Sequence, residues 1–212
     1  PAVVGRTFLY VCFPTEMTSR FVPVFRGFPA GLARWAWLPH GDSTVKVADA
    51  VSAATPMWAR RDFGYEAGLW DLLTGRIGAV FTHEGRSVAL AAGSAGEVSA
   101  LVLLLVGAYL LVTRTAQWRL TVATMAGAVL TNVVLRSALG LSGVPPLLFT
   151  LLSGALLYAA VFMVTDPVSA PKQKLPQWVY GVFIGAMIVF LRYKAIFAGG
   201  VGFAILLGNM LA

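Results

Sequence analysis

The chain has 212 residues, of which 58% are hydrophobic and 12% charged, and its mean hydropathy is +0.78. Soluble domains carry roughly 25% charged residues, so this composition excludes a surface that faces water throughout and fits one that faces lipid. A net charge of +7 would suggest nucleic acid in a soluble chain; here the bases lie mainly between apolar runs, so membrane lipid is the expected partner and nucleic acid is not.

The first apolar run extends from Pro1 to Phe13 and stops at Pro14. It contains Cys12, the single cysteine, which excludes an internal disulfide and any thiolate metal cluster built from this chain alone; a lone apolar Cys reads as packing. A long mixed region, Thr15 to Gly96, holds most of the charge, both histidines and several Trp. Five apolar segments then follow closely: Val98–Val112, Leu120–Leu135, Pro146–Val164, Trp178–Leu191 and Ile196–Leu211. Several fall short of the ~20 residues that cross a bilayer upright, and short, Gly-interrupted spans are the pattern of discontinuous helices in transporter-like folds. The organisation is therefore one helix (1–14), a long loop region (15–96) and about five membrane helices (97–212). A start at Pro1 and a stop at Ala212 within an apolar run are expected of a piece of a longer chain.

Basic residues orient the spans. Arg114 and Arg119 lie between the first two of the five segments, and Lys172 and Lys174 between the third and fourth. Cytoplasmic placement of those loops satisfies the positive-inside rule and puts Thr15–Gly96 outside the cytoplasm. Arg136, Arg192 and Lys194 then fall on the outer side.

Within the long region, Asp49-Ala50-Val51-Ser52-Ala53-Ala54-Thr55-Pro56 places an acid and two hydroxyls among small residues. Such a segment can lie flat in another enzyme's active site and offer the Thr55 hydroxyl as a nucleophile. Activation requires a base or metal, and nothing in the segment supplies one, so a partner enzyme would perform the modification. The same residues also suit an Asx-turn or a helix cap ahead of Pro56. Other polar residues carry two readings each. Glu97 begins a span and either caps it or binds an ion. Thr165 and Asp166, at a span's end, either cap a half-helix or line a polar cavity. Arg60 and Arg61 suit phosphate geometry or a solvated loop. Trp35, Trp37 and Trp58 suit stacking on a planar ring or an interfacial aromatic belt. Glu16 reads as interfacial, and His40 and His83 have no ligand partners at metal spacing.

The segment resembles the flavinylation site Asp-x-x-Ser-Gly-Ala-Thr of a family of respiratory membrane proteins: NqrB of the Na⁺-translocating NADH:quinone reductase and RnfD of the Rnf electron transport complex. Pro1-Ala2-Val3-Val4-Gly5-Arg6-Thr7-Phe8-Leu9 with Phe13-Pro14 is similar to the family's helix before the flavin loop. Leu69-Trp70-Asp71-Leu72 and Gly93-Ser94-Ala95-Gly96-Glu97-Val98-Ser99 resemble its approach to the next helix. Phe162-Met163-Val164-Thr165-Asp166-Pro167-Val168-Ser169-Ala170, followed by Trp178, Tyr180 and Gly181, resembles a further signature. The wording leans toward the quinone-reductase branch.

The resemblance implies an all-α integral membrane fold, half of an inverted-repeat, urea-transporter-like bundle of ten helices. This chain would hold the last helix of the first repeat, a long extracytoplasmic flavin loop and the second repeat. The resemblance also implies FMN joined to Thr55 by a phosphoester, with Asp49, Ser52 and Ala54 forming the recognition segment, and riboflavin as a further flavin of the assembly. A flavin transferase would install the FMN. The expected function is that of a multi-pass bacterial inner-membrane subunit of a cation-translocating oxidoreductase, relaying electrons. Quinone, or ferredoxin and NAD, would be reached through partner subunits. No dinucleotide fingerprint is present, so NADH is oxidised by another subunit. Glu97, Thr165 and Asp166 are the ion-path candidates.

Two positions depart from the family pattern. Ala53 stands where Gly is usual, so a glycine-dependent backbone would slow flavinylation. Phe197-Ala198-Gly199-Gly200 stands where Tyr-Pro-Glu-Gly is usual, so Gly199 removes a membrane carboxylate of the kind kept for ion pathways and puts Na⁺ transport in question. Two other readings follow: a non-pumping flavin conduit that delivers electrons outward, and a urea-transporter-like channel for small polar solutes without redox chemistry.

Overall fold

The computed structural model describes residues 2–13, 50–53, 60, 68–74, 78–83, 86–92, 99–141, 143–153, 155–194 and 200–211. Helix α1 (Ala2–Cys12) matches the first apolar run. Strand β1 (Ala50–Ala53), helix α2 (Leu69–Thr74), and strands β2 (Gly78–His83) and β3 (Arg86–Ala92) follow in the loop region. The strands form one sheet in the order β1-β3-β2. β2 and β3 are antiparallel, with His83 opposite Arg86, and β1 runs parallel to β3, with Ser52 opposite Ala91 and Ala53 opposite Ala92. The all-helical expectation therefore holds for the apolar spans and not for the loop region. There, short extended segments satisfy their backbone N–H and C=O groups by pairing with one another.

The second half is helical. Helix α3 (Ala100–Val112) starts at Ser99, whose hydroxyl accepts from the Val102 N–H at 3.4 Å and donates to the Leu73 carbonyl at 2.9 Å. One side chain thus caps a membrane helix and ties α2 to it. Helix α4 (Trp118–Val133) continues as a π-helical turn over Val134–Ala138. The third apolar segment is broken into α5 (Leu147–Leu152), the single turn α6 (Leu156–Tyr158) and a π-helical turn over Ala159–Met163. Helices α7 (Lys174–Lys194) and α8 (Gly200–Leu211) complete the half. Trp118–Ala138 and Lys174–Lys194, 21 residues each, are long and apolar enough to cross a membrane. The thirteen residues of α3 rise only about 20 Å, and α8 is shorter still.

The core lies where α4 crosses α7, and small residues set that crossing. A Cβ added to Gly181 would sit 2.6 Å from the Ala123 Cβ, while one on Gly185 would run into the Thr124 carbonyl and one on Gly127 into the Val182 carbonyl. Backbones this close are the Gly-x-x-x-Gly mode of membrane-helix packing, here carried by Gly181 and Gly185. Helix α8 packs against α7 through Gly208, beside Ile184, and α1 reaches α8 near Gly202. Leu120, Leu156, Ile184, Ile188 and Ile205 are fully buried around this seam. Outward faces stay apolar, with Leu105 and Val112 on α3 and Leu175 and Val179 on α7 exposed, as lipid contact requires.

Both basic loops expected in the cytoplasm share one end of the bundle. Gln177 Nε2 donates to Gln117 Oε1 at 2.5 Å, and Trp118 meets Trp178 edge-on with centroids 6.2 Å apart. Arg136 and Arg192 lie toward the opposite ends of α4 and α7.

Candidate functional site

Strand β1 delivers the Asp49–Pro56 segment. Asp49, Ala54 and Thr55 lie outside the described residues, and Thr55 follows the end of β1 by two residues. Ser52 and Ala53 belong to the strand. Ala53 is extended, a conformation any L-residue adopts freely, so the change from the family's Gly imposes no left-handed strain at this position. Glu16, Trp35, Trp37, His40, Trp58, Arg61, Glu97 and Gly199 also lie outside the described residues. His83 ends β2, with its backbone paired to Arg86.

Arg60, five residues beyond Thr55, is half-buried, with its guanidinium carbon 5.5 Å from the centroid of the Phe149 ring. That separation is within cation–π range. The contact joins the segment after Thr55 to α5, the first piece of the broken span. Helix α2 makes a second junction with α5: Leu73 and Leu152 both pack against the cluster of Ala100, Leu103 and Leu157.

The break falls at Ser153, whose backbone is extended (φ −90°, ψ 134°) and whose N–H still bonds the Phe149 carbonyl at 2.9 Å. Non-helical backbone at membrane depth persists only where protein or a wet cavity surrounds it, and Ser153 is fully enclosed. Its hydroxyl has no hydrogen-bond partner among the described residues. One turn earlier lies a polar knot. Asn132 Nδ2 of α4 donates to Thr150 Oγ1 at 2.9 Å and to the Pro145 carbonyl at 3.2 Å. The Thr150 hydroxyl donates to the Pro146 carbonyl at 3.1 Å, and Arg192 Nη1 donates to the Thr150 carbonyl at 3.1 Å. The short helix is thereby held from α4 and from α7. Asn132→Leu is expected to lower stability by about 1–2 kcal/mol, because it removes the amide that donates to the buried Thr150 hydroxyl and to the half-buried Pro145 carbonyl; thermal melting in detergent checks this.

The residues after the third span form a local turn. Thr165 bonds back to the Val161 carbonyl at 2.6 Å. Asp166 accepts from the Val168 N–H at 3.1 Å and from the Ser169 hydroxyl at 3.0 Å. Both carboxylate oxygens serve a local turn, which gives Asp166 a structural role at the end of the span. Asp166→Ala should cost about 1 kcal/mol of stability, as measured by thermal melting in detergent.

Sequence reasoning passed over Asn132, Thr150 and Ser153. Each lies in a mostly apolar window, so the averaged hydropathy hides it. The available signal was an amide within the Leu120–Leu135 run, since polar groups inside membrane helices pair across helices.

A sequence model of the NQR2, RnfD, RnfE family matches residues 1–212. The chain belongs to that family. Among its relatives, the NqrB protein of the Na⁺-translocating NADH-quinone reductase from Azotobacter vinelandii is 30% identical over 220 residues, covering 100% of this chain and 46% of the relative. The same-named proteins of Chromohalobacter salexigens and Neisseria meningitidis are 31% and 29% identical, covering 100% of this chain and 45% and 46% of theirs. The chain spans about half the length of these relatives. Family membership agrees with the helical membrane architecture and with the order of the signatures around Thr55 and Asp166.

Proposed function

We propose that this chain is part of the membrane subunit of an NADH:quinone reductase-type complex and carries FMN on Thr55 through a phosphoester bond. One observation carries the proposal: an Asp-x-x-Ser-Ala-Ala-Thr-Pro segment ends a strand just before Thr55, in a chain matched by the family over its whole length. The residues suit the group. Ser52 and Ala53 hold the approach extended, the small side chains at 50, 53 and 54 leave a transferase room, and the Thr55 hydroxyl is the nucleophile. Bound there, FMN supplies electron transfer between neighbouring redox centres, and the protein sets its position and surroundings. The partners are the other subunits of the complex and a flavin transferase that matures this one. The site lies on the extracytoplasmic side of a bacterial inner membrane.

Whether electron flow is coupled to Na⁺ depends on the helix bundle. Gly199 in place of the family's carboxylate favours a conduit that transfers electrons without pumping. The broken span with its enclosed hydroxyls is the feature that favours the second reading, a pore for small polar solutes. Under that reading Thr55 stays unmodified.

In-gel fluorescence tests the proposal. Produced with a flavin transferase, the wild-type chain should show a flavin band that survives denaturation, and Thr55→Val should show none. A dark wild-type band beside a fluorescent family member would sink the flavin reading and leave solute flux as the next assay.

A further inference from the structure

We propose that Arg60 is a positioning residue that pins the flavin-bearing segment onto the broken third span at Phe149. The inference rests on the flavin assignment for its function, while the docking itself stands on separate observations. Five peptide units join Thr55 to Arg60, so the two Cα atoms lie within about 18 Å whatever the conformation between them. The Arg60 guanidinium stands over the ring of Phe149, which is only 7% exposed, and a cation over a desolvated ring is at the stronger end of such contacts. The neighbouring residue, Thr150, is 1% exposed and receives Arg192 on its carbonyl and Asn132 on its hydroxyl. Two arginines thus grip the six-residue helix α5, one from the flavin loop and one from α7. Helix α2 adds a second foothold, because Leu73 packs against the same Ala100–Leu103–Leu157 cluster as Leu152, and Ser99 bonds its last turn to α3. The loop is therefore seated on the bundle at the end of the span that is least regular and most polar. That seating fixes the distance between the flavin and its neighbouring redox centres, on which electron transfer depends.

The test is a double-mutant cycle in the assembled complex, with Arg60→Gln, Phe149→Leu and the pair together, and Phe149→Tyr and Arg60→Lys as conservative controls. Two quantities are read: the rate at which proteinase K cleaves between Ala53 and Leu69, and the rate at which the neighbouring subunits reduce the covalent flavin. Losing the contact should raise cleavage about three- to thirtyfold. Each single variant should do this, the double should do no more than the larger single, and Phe149→Tyr should match wild type. Arg60→Lys should fall between, because a compact ammonium replaces a stacking plane. Flavin content should be unchanged, while its reduction slows in the same order of variants. Multiplicative effects in the double variant, or unchanged cleavage in both singles, would overturn the docking. Faster cleavage with unaltered flavin reduction would overturn the positioning role. The cleavage arm needs no flavin, so a wild-type chain lacking FMN would fail the flavin assignment and still decide the docking.

Discussion

Gly185→Leu is expected to prevent the bundle from assembling, whereas Gly5→Ala is expected to do nothing harmful. A Cβ at position 185 meets the Thr124 carbonyl and the Ala128 N–H, backbone groups of α4 that no rotamer change can move. To admit even one carbon the helices must separate, and separation opens the seam around Leu120, Ile184 and Ile188. Overpacking usually costs about 1–3 kcal/mol where side chains can give; here the obstacle is main chain, so the cost is about 3 kcal/mol or more. Lateral association of membrane helices draws on close packing rather than on a hydrophobic drive, which leaves little to offset the loss. Loss of a monodisperse peak in detergent, or a fall in melting temperature on the order of 10 °C, is the expected reading. Gly5 of α1 has nothing within 4 Å of an added Cβ, and Ala is the better helix former. A Gly185→Leu protein that melted with wild type would mean that α4 and α7 do not cross where the structure places them.

Thr55→Val should abolish covalent flavin altogether and with it the electron transfer of the assembled complex, by two orders of magnitude or more. Valine matches threonine in shape and β-branching but has no hydroxyl, so no phosphoester can form, while the backbone that follows β1 is undisturbed. Thr55→Ser keeps a nucleophile and should retain flavin at a reduced level. Retention of full activity in Thr55→Val, measured as NADH-driven quinone reduction in membranes, would show that no flavin on this residue lies on the electron path.

The apolar spans were legible because hydropathy reports the solvent each element faces. Four of the five second-half segments appear as continuous helices within a few residues of their expected limits. Pro146–Val164 was not legible as three pieces. The break at Ser153 falls between small residues in an apolar run, and the bonds from Asn132 and Arg192 that hold Thr150 beside it are tertiary contacts, which local sequence does not carry. The sheet was missed for a related reason. β2 and β3 flank Glu84-Gly85, a two-residue hairpin spacing with glycine second, and β1 is four residues of mostly alanine and serine with no alternation to find. At the site, residue types alone left the Asp49–Pro56 segment open between a modification site and a turn or cap, and the family resemblance is what singles out the flavin reading. The role of Arg60 was not. Phosphate contact and solvated loop were the two readings that charge suggests, and its perch on Phe149 joins residues 89 positions apart. The local turn around Asp166 was visible only in the geometry, because the same carboxylate serves either a cap or a cavity.

The most direct measurement is the mass of the peptide containing Thr55, taken from protein produced together with a flavin transferase. An added mass equal to FMN less water, located on Thr55 by fragmentation and absent from Thr55→Val, is the predicted result. An unmodified Thr55 peptide, under conditions that flavinylate a related NqrB protein, would contradict the account.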